Sequence, residues 1–166
     1  NQMDKFAQTK SEMPIDAPGR RRLPVLLRRA WYGLNQAFRR RIASMDLTPD
    51  QFTVIRTLLE SEPVSLTQKA LANAMSSDPN TIASLLERME VNGLVKRHPH
   101  DKDRRANRVE LQPLAREKYE AIRNEAIKLQ SHLLGQLPET DREIFLEQLE
   151  TIAGACRDLS NPQRKP

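Results

Sequence analysis

Apolar positions recur along this chain at two periods, and the change between them marks its parts. From Leu23 to Ser44, Leu27, Trp31, Leu34, Phe38 and Ile42 fall at intervals of three and four, one stripe of a helix. Pro24 stands in its first turn, where a missing N–H costs little. Thr48-Pro49 signals a second helix, with Thr48 as N-cap and Asp50 and Gln51 in the first turn. Phe52, Val54, Ile55, Leu58 and Leu59 carry it to about Ser61. After an extended Val64-Ser65, Leu66 to Met75 reads as a third helix, capped by Thr67 or Ser65, with Leu66, Ala70, Leu71, Ala74 and Met75 inward. Asp78-Pro79 caps and opens a fourth over Asn80 to Glu90, whose Ile82, Leu85, Leu86 and Met89 share one side.

The helical period then breaks off. Asn92-Gly93 supplies a left-handed helix end. Leu94-Val95 and Val109 to Leu111 read as two antiparallel strands. The residues between them, Arg97 to Arg108, are too polar to build a core. Pro113 opens a long helix to about Gln136, with Tyr119, Ile122, Ala126, Leu129 and Leu133 at coiled-coil-like spacing. A last helix carries Ile144, Phe145, Leu149, Ile152, Ala153 and Cys156, and Asn161-Pro162 stops it. Two short helices at a tight turn followed by a basic hairpin make a winged helix-turn-helix, a device for reading DNA.

The expected fold is therefore mainly α with a small β-wing: a winged helix-turn-helix lobe plus a helical dimerisation region. The apolar stripes of the first and last two helices exceed what one small lobe covers, which calls for a second copy. The chain divides into a flexible N-terminal arm (1–22), a dimerisation helix (23–47), the DNA-binding lobe (48–112), C-terminal dimerisation helices (113–160) and a tail (161–166).

Composition narrows the function classes. With 38% apolar and 30% charged residues among 166, the chain is long enough for a proper core. No apolar run approaches the roughly 20 residues that cross a bilayer, and the N-terminus lacks the apolar block of a secretory signal. A single cysteine, Cys156, excludes an internal disulfide framework, fits the reducing cytoplasm and reads as a small buried hydrophobe. The net charge of +5 is modest, but its placement is informative. Arginines cluster at 20–22, 28–29 and 39–41, and base dominates again from Lys96 to Arg108, while the last third, with nine of the 22 acids, is nearly balanced. There is no Gly-rich phosphate loop and no nucleophile motif, and His98-x-His100-Asp101 lacks further ligands nearby. No catalytic residue, metal or cofactor is expected.

The expected partner is double-stranded DNA. On the fourth helix Asn80, Thr81, Ser84 and Arg88 face away from the apolar side, with side chains that bond base edges or phosphates. Ser77 in the turn and Thr67, Gln68 and Lys69 on the third helix extend that surface. Arg97, Lys102, Asp103, Arg104 and Arg105 belong to the wing, where Arg104 can enter a minor groove and Asp103 can hold Arg105. A solvated polar face would account for the fourth helix alone, but not for turn and wing together. A helical interaction protein would account for the long amphipathic helices, but not for a charged wing between short strands.

Taken in order, these residues resemble the MarR family of bacterial transcription regulators. The matching stretches are Leu66-Thr67-Gln68-x-x-Leu71-Ala72, Thr81-Ile82-x-x-Leu85-Leu86-x-Arg88-Met89-Glu90, Gly93-Leu94-Val95-x-Arg97 and the D-x-R wing signature in Asp103-Arg104-Arg105. The helix order agrees from Leu23 to about Leu159. Two departures are visible: Gln112 and Ala115 stand where the family usually has Thr and Gly, and Ser76-Ser77 where Gly followed by an aliphatic residue is common.

The resemblance implies a homodimer whose first and last helices interlock, with two winged lobes on a pseudo-palindromic operator. It also implies a small effector, often an aromatic acid or phenol, that binds between the dimer helices and the lobe and releases a repressor from DNA. Arg28, Trp31, Asn35, Phe38, Phe52 and Arg56 are the residues expected around that crevice, with Trp31 also readable as a core aromatic. Thiol switches occur in the family, so oxidation sensing through Cys156 is a further reading.

Overall fold

The computed structural model describes residues 14–99 and 107–160. Six helices and one hairpin follow in the order α1 (Leu23–Arg41), α2 (Pro49–Ser61), α3 (Gln68–Ala74), α4 (Pro79–Val91), β1 (Val95–Pro99), β2 (Asn107–Leu111), α5 (Pro113–Leu134) and α6 (Glu139–Ser160). The chain is thus mainly helical with a two-stranded antiparallel sheet, in the register Val95 to Leu111, Arg97 to Val109 and Pro99 to Asn107.

The core lies within the lobe. Phe52, Val54, Ile55 and Leu58 of α2, Leu71 of α3, Ile82, Leu85, Leu86 and Met89 of α4, and Val95, Val109 and Leu111 of the hairpin are buried together. Ile42, just after α1, and Ala115 and Ile122 of α5 join the same cluster. Phe38, Phe52 and Tyr119 rivet α1, α2 and α5 together. Phe52 meets Phe38 edge-on and stacks on Tyr119, with both centroid separations 5.1 Å.

Local chemistry sets the element ends. Thr48 caps α2 through a reciprocal box in which Gln51 N donates to Thr48 Oγ1 (3.2 Å) and Thr48 N donates to Gln51 Oε1 (2.9 Å). Helix α1 stops at Arg41, short of Ser44, because Ile42 turns into the core and Asp46 takes a left-handed φ of 51°. Helix α3 begins at Gln68, two residues later than expected, because Leu66 and Thr67 are drawn into pairing with β2: Val109 N donates to Leu66 O (3.0 Å), and Thr67 bridges Arg108. The shorter helix buries Ala72 and leaves Ala74 exposed, while Leu71 is buried and Leu66 and Met75 pack against the core as expected. At the start of α5, Gln112 makes no side-chain cap and Ala115 is fully buried.

Helices α1 and α6 contain no buried residue. Leu23, Trp31, Tyr32 and Leu34 of α1 and Ile144, Phe145, Leu149 and Ile152 of α6 are exposed. Two expectations are corrected here. Cys156 is exposed rather than a buried small hydrophobe, because α6 packs none of its faces into the core. Trp31, at 61% exposure, is not a core aromatic of this chain. No helix among the described residues is long and apolar enough to cross a membrane.

Candidate nucleic-acid interface

Helix α4 is built to lie on the lobe with one face outward. Its start is fixed by Asp78, whose Oδ1 accepts from Asn80 N (2.8 Å) and Thr81 N (3.1 Å), with Pro79 at the first position. Ile82, Leu86 and Met89 are essentially inaccessible. The opposite face leaves Asn80, Thr81, Ser84 and Arg88 exposed, all within the first three turns, where short side chains permit close approach. Lys69 is also exposed, whereas Thr67 and Ser77 are half-buried. Thr67 caps α3 by accepting from Ala70 N (3.1 Å), which occupies part of its hydrogen-bonding capacity. Gln68 is half-buried, and its Oε1 is turned inward without a hydrogen-bond partner.

The turn between α3 and α4 places Ser76 at a φ of 49°. This is the position where the resembled family commonly has glycine, and the reason is now physical: a left-handed residue with a Cβ is strained. Ser76→Gly is expected to raise stability by about 0.5–1 kcal/mol. Chemical denaturation of both proteins at one concentration checks it, and a lower stability for the glycine variant would contradict it.

The hairpin sits beside α4, turned back by Gly93 at a φ of 70°. Arg97, one of the residues expected at DNA, directs its guanidinium at Glu90 of α4. Nε donates to Oε2 at 3.0 Å, Nη2 donates to the same oxygen at 2.8 Å, and the Arg97 backbone N–H donates to Oε1 at 2.9 Å. That backbone hydrogen bond, then the guanidinium, hold the Glu90 carboxyl below the ordinary carboxylate range. Sequence reasoning misses this link, although a Glu in the last helical turn and an Arg seven residues on, across a Gly turn, are its visible signal. Further out, His98 Nε2 lies 2.6 Å from Glu110 Oε2 on the neighbouring strand. Lys102, Asp103, Arg104 and Arg105, with His100 and Asp101, lie outside the described residues.

The residues expected around an effector are distributed over α1 and α2. Phe38 and Phe52 belong to the aromatic rivet. Arg28 and Trp31 are exposed and Asn35 is half-buried. Arg56 pairs with Glu60 at 2.7 Å, a bond that raises its pKa. Two clefts lie elsewhere. One, of about 700 Å³, runs between α1, the end of α3 and α6, with Leu27, Asn73, Ile152 and Cys156 in its wall. The other, of about 350 Å³, lies between the end of α2, β2 and Arg116 of α5, whose guanidinium pairs with Glu62. None of the six expected effector residues lines either cleft.

Comparison with known proteins agrees with this geometry. The family model described as "MarR family" matches residues 47–106, from the start of α2 to the wing. The transcriptional regulator HosA of Escherichia coli O111:H- is 28% identical over 135 residues, covering 78% of this chain and 98% of its own. The uncharacterised HTH-type transcriptional regulator YwoH of Bacillus subtilis is 30% identical over 99 residues, covering 60% of this chain and 70% of its own. Among solved structures, the transcriptional repressor CouR bound to a 23-mer DNA duplex superposes with a TM-score of 0.70 at 26% identity, covering 79% of this chain and 92% of that one. The chain belongs to the MarR family of transcriptional regulators, and is a regulator rather than an enzyme.

Proposed function

We propose that this regulator is a homodimeric repressor that holds a pseudo-palindromic operator and is released by a small aromatic acid or phenol. The observation that carries the DNA-binding part is α4, whose apolar face is locked into the lobe while Asn80, Thr81, Ser84 and Arg88 stand exposed. These four residues read or abut the major groove, and Thr67, Gln68, Lys69 and Ser77 brace the adjoining backbone. Lys102, Asp103, Arg104 and Arg105 form the wing's contribution. CouR, similar in sequence and fold, is a repressor solved on DNA, which supports the repressor reading.

The exposed apolar stripes of α1 and α6 support the dimer, because such surfaces on a small chain mark association sites. The effector reading comes from the resemblance to the family, and the aromatic contacts that join α1, α2 and α5 offer a route from a ligand to the lobe. A ligand wedged beside Phe38 and Phe52, with Arg28 or Arg56 on its carboxylate and Trp31 and Asn35 at the rim, would shift α1 relative to the lobe. Such a protein works in the cytoplasm, where its DNA is.

Salt dependence tests the DNA-binding reading. A dimer neutralising six to ten phosphates loses about 10³–10⁵ in affinity between roughly 50 and 200 mM salt. A steep linear fall of log K against log salt, measured by anisotropy on a duplex selected by the protein, is expected. A flat plot would contradict phosphate contact and favour a protein-interaction role.

A further inference from the structure

We infer that Glu90 is a positioning residue for DNA binding: by gripping Arg97 it fixes the first wing strand to the last turn of the helix that enters the groove. This rests on the DNA-binding reading above and adds a role that neither the motif nor the expected DNA surface assigns.

The described hairpin residues are anchored in the core by Val95 of β1 and by Val109 and Leu111 of β2. Val95 is the last buried residue of β1; beyond it Lys96 and Pro99 are exposed and Arg97 and His98 are half-buried. The turn from α4 is secured only as far as Leu94, whose N–H donates to Met89 O at 2.9 Å, beside Gly93 N to Glu90 O at 3.0 Å. Past that point, the three hydrogen bonds from Arg97 to Glu90 tie β1 to α4. The other strand is fastened separately to the extended residues just ahead of α3, through Val109 N to Leu66 O and the Thr67–Arg108 bridge. The hairpin is thus seated on the core by Val95, Val109 and Leu111 and tied by hydrogen bonds to Glu90 of α4 and to Leu66 just ahead of α3. Glu90 is the side chain that ties the outer part of β1 to α4.

Simple electrostatics predicts the opposite role. An acid beside a polyanion opposes binding, and an Arg turned away from phosphate adds nothing to it. If Arg97 were a phosphate ligand merely sequestered by Glu90, removing Glu90 would free it and tighten binding. If Glu90 positions the wing, removing it loosens the hairpin and weakens binding. The two accounts differ in sign.

The test uses the full chain and a duplex enriched from a random library by the wild-type protein, with affinity followed by anisotropy and folding by circular dichroism. Glu90→Ala is expected to weaken binding about tenfold, the scale of coupling within one hydrogen-bonded pair. Glu90→Gln should fall between wild type and Glu90→Ala, because its amide oxygen still accepts from the Arg97 backbone. Arg97→Ala should weaken binding without lowering the salt slope, whereas removing a phosphate ligand lowers it by about one. The double variant should be no weaker than the worse single variant, and hydroxyl-radical protection should fade at the wing flanks while the central groove stays protected. Unchanged or tighter binding by Glu90→Gln, or a salt slope reduced by Arg97→Ala, would overturn the inference alone. A wild-type protein that enriches no duplex would overturn the DNA-binding reading and this inference with it.

Discussion

Ile152→Asp is expected to split the dimer while leaving the winged lobe folded. Phe145, Leu149 and Ile152 fall on one side of α6 at steps of four and three, and each is between 37% and 44% exposed although large and apolar. In the proposed dimer these side chains are covered by the partner's helices. A carboxylate at the centre of that seam is desolvated without a partner, which costs several kcal/mol even after water penetration. The lobe core does not depend on the site, because α6 contributes no residue to it and Ile152 faces the lobe only across an open cleft. Operator affinity depends on the dimer through the second half-site: losing the linkage between two binding modules forfeits about 10²–10⁴ in affinity. Sedimentation of Ile152→Asp should therefore give a monomer with native helix content, and its anisotropy titration a loss of that order. Glu150→Gln, on the exposed side of the same helix, should change neither. A variant that stays dimeric would remove α6 from the interface.

Leu86→Ala strikes the other half of the design. Leu86 has no accessible surface, and it lies on the side of α4 that meets α3 and the hairpin. Truncation removes its transfer energy and leaves a cavity, together about 2–5 kcal/mol. Against a total stability of about 5–15 kcal/mol, this is enough to populate unfolded chains at modest temperature. The expected outcome is a lower denaturation midpoint with an unchanged m-value, compared at equal protein concentration because a dimer's stability depends on it. A loss below about 1 kcal/mol would mean that the α4 seat collapses around the smaller side chain. Together the two substitutions separate the roles: the first removes the second half-site and keeps the reader, and the second loosens the reader and spares the dimer seam.

The lobe is legible in the sequence because its signals are local. Ile82, Leu85, Leu86 and Met89 repeat at helical spacing and are all buried. Asp78-Pro79 and Thr48-Pro49 name their own caps, and Gly93 takes the left-handed conformation its position after α4 suggests. What escapes depends on contacts made at a distance. The late start of α3 comes from Leu66 and Thr67 pairing with β2, some forty residues later. The early end of α1 comes from Ile42 finding the core. Arg97 carries the same charge whether it meets a phosphate or Glu90, so composition alone does not choose between them. Cys156 sits on an amphipathic helix, and periodicity does not say whether a helix face is covered by its own chain or by another. Of the expected DNA surface, Asn80, Thr81, Ser84 and Arg88 come together on one exposed face, Gln68 turns its carbonyl oxygen inward, and Arg97 is drawn to Glu90.

The central claim is that the exposed face of α4, presented twice by a dimer, reads base sequence. The most direct measurement is the affinity of the wild-type protein, at one physiological salt concentration, for two duplexes of equal length and composition. One is an inverted repeat enriched from a random library, with half-sites about one helical turn, roughly 34 Å, apart. The other has its half-sites scrambled. Base-edge readout predicts that the repeat is bound at least about 10³-fold more tightly. Equal affinity for the two would contradict it, leaving a protein that holds the phosphate backbone and reads nothing.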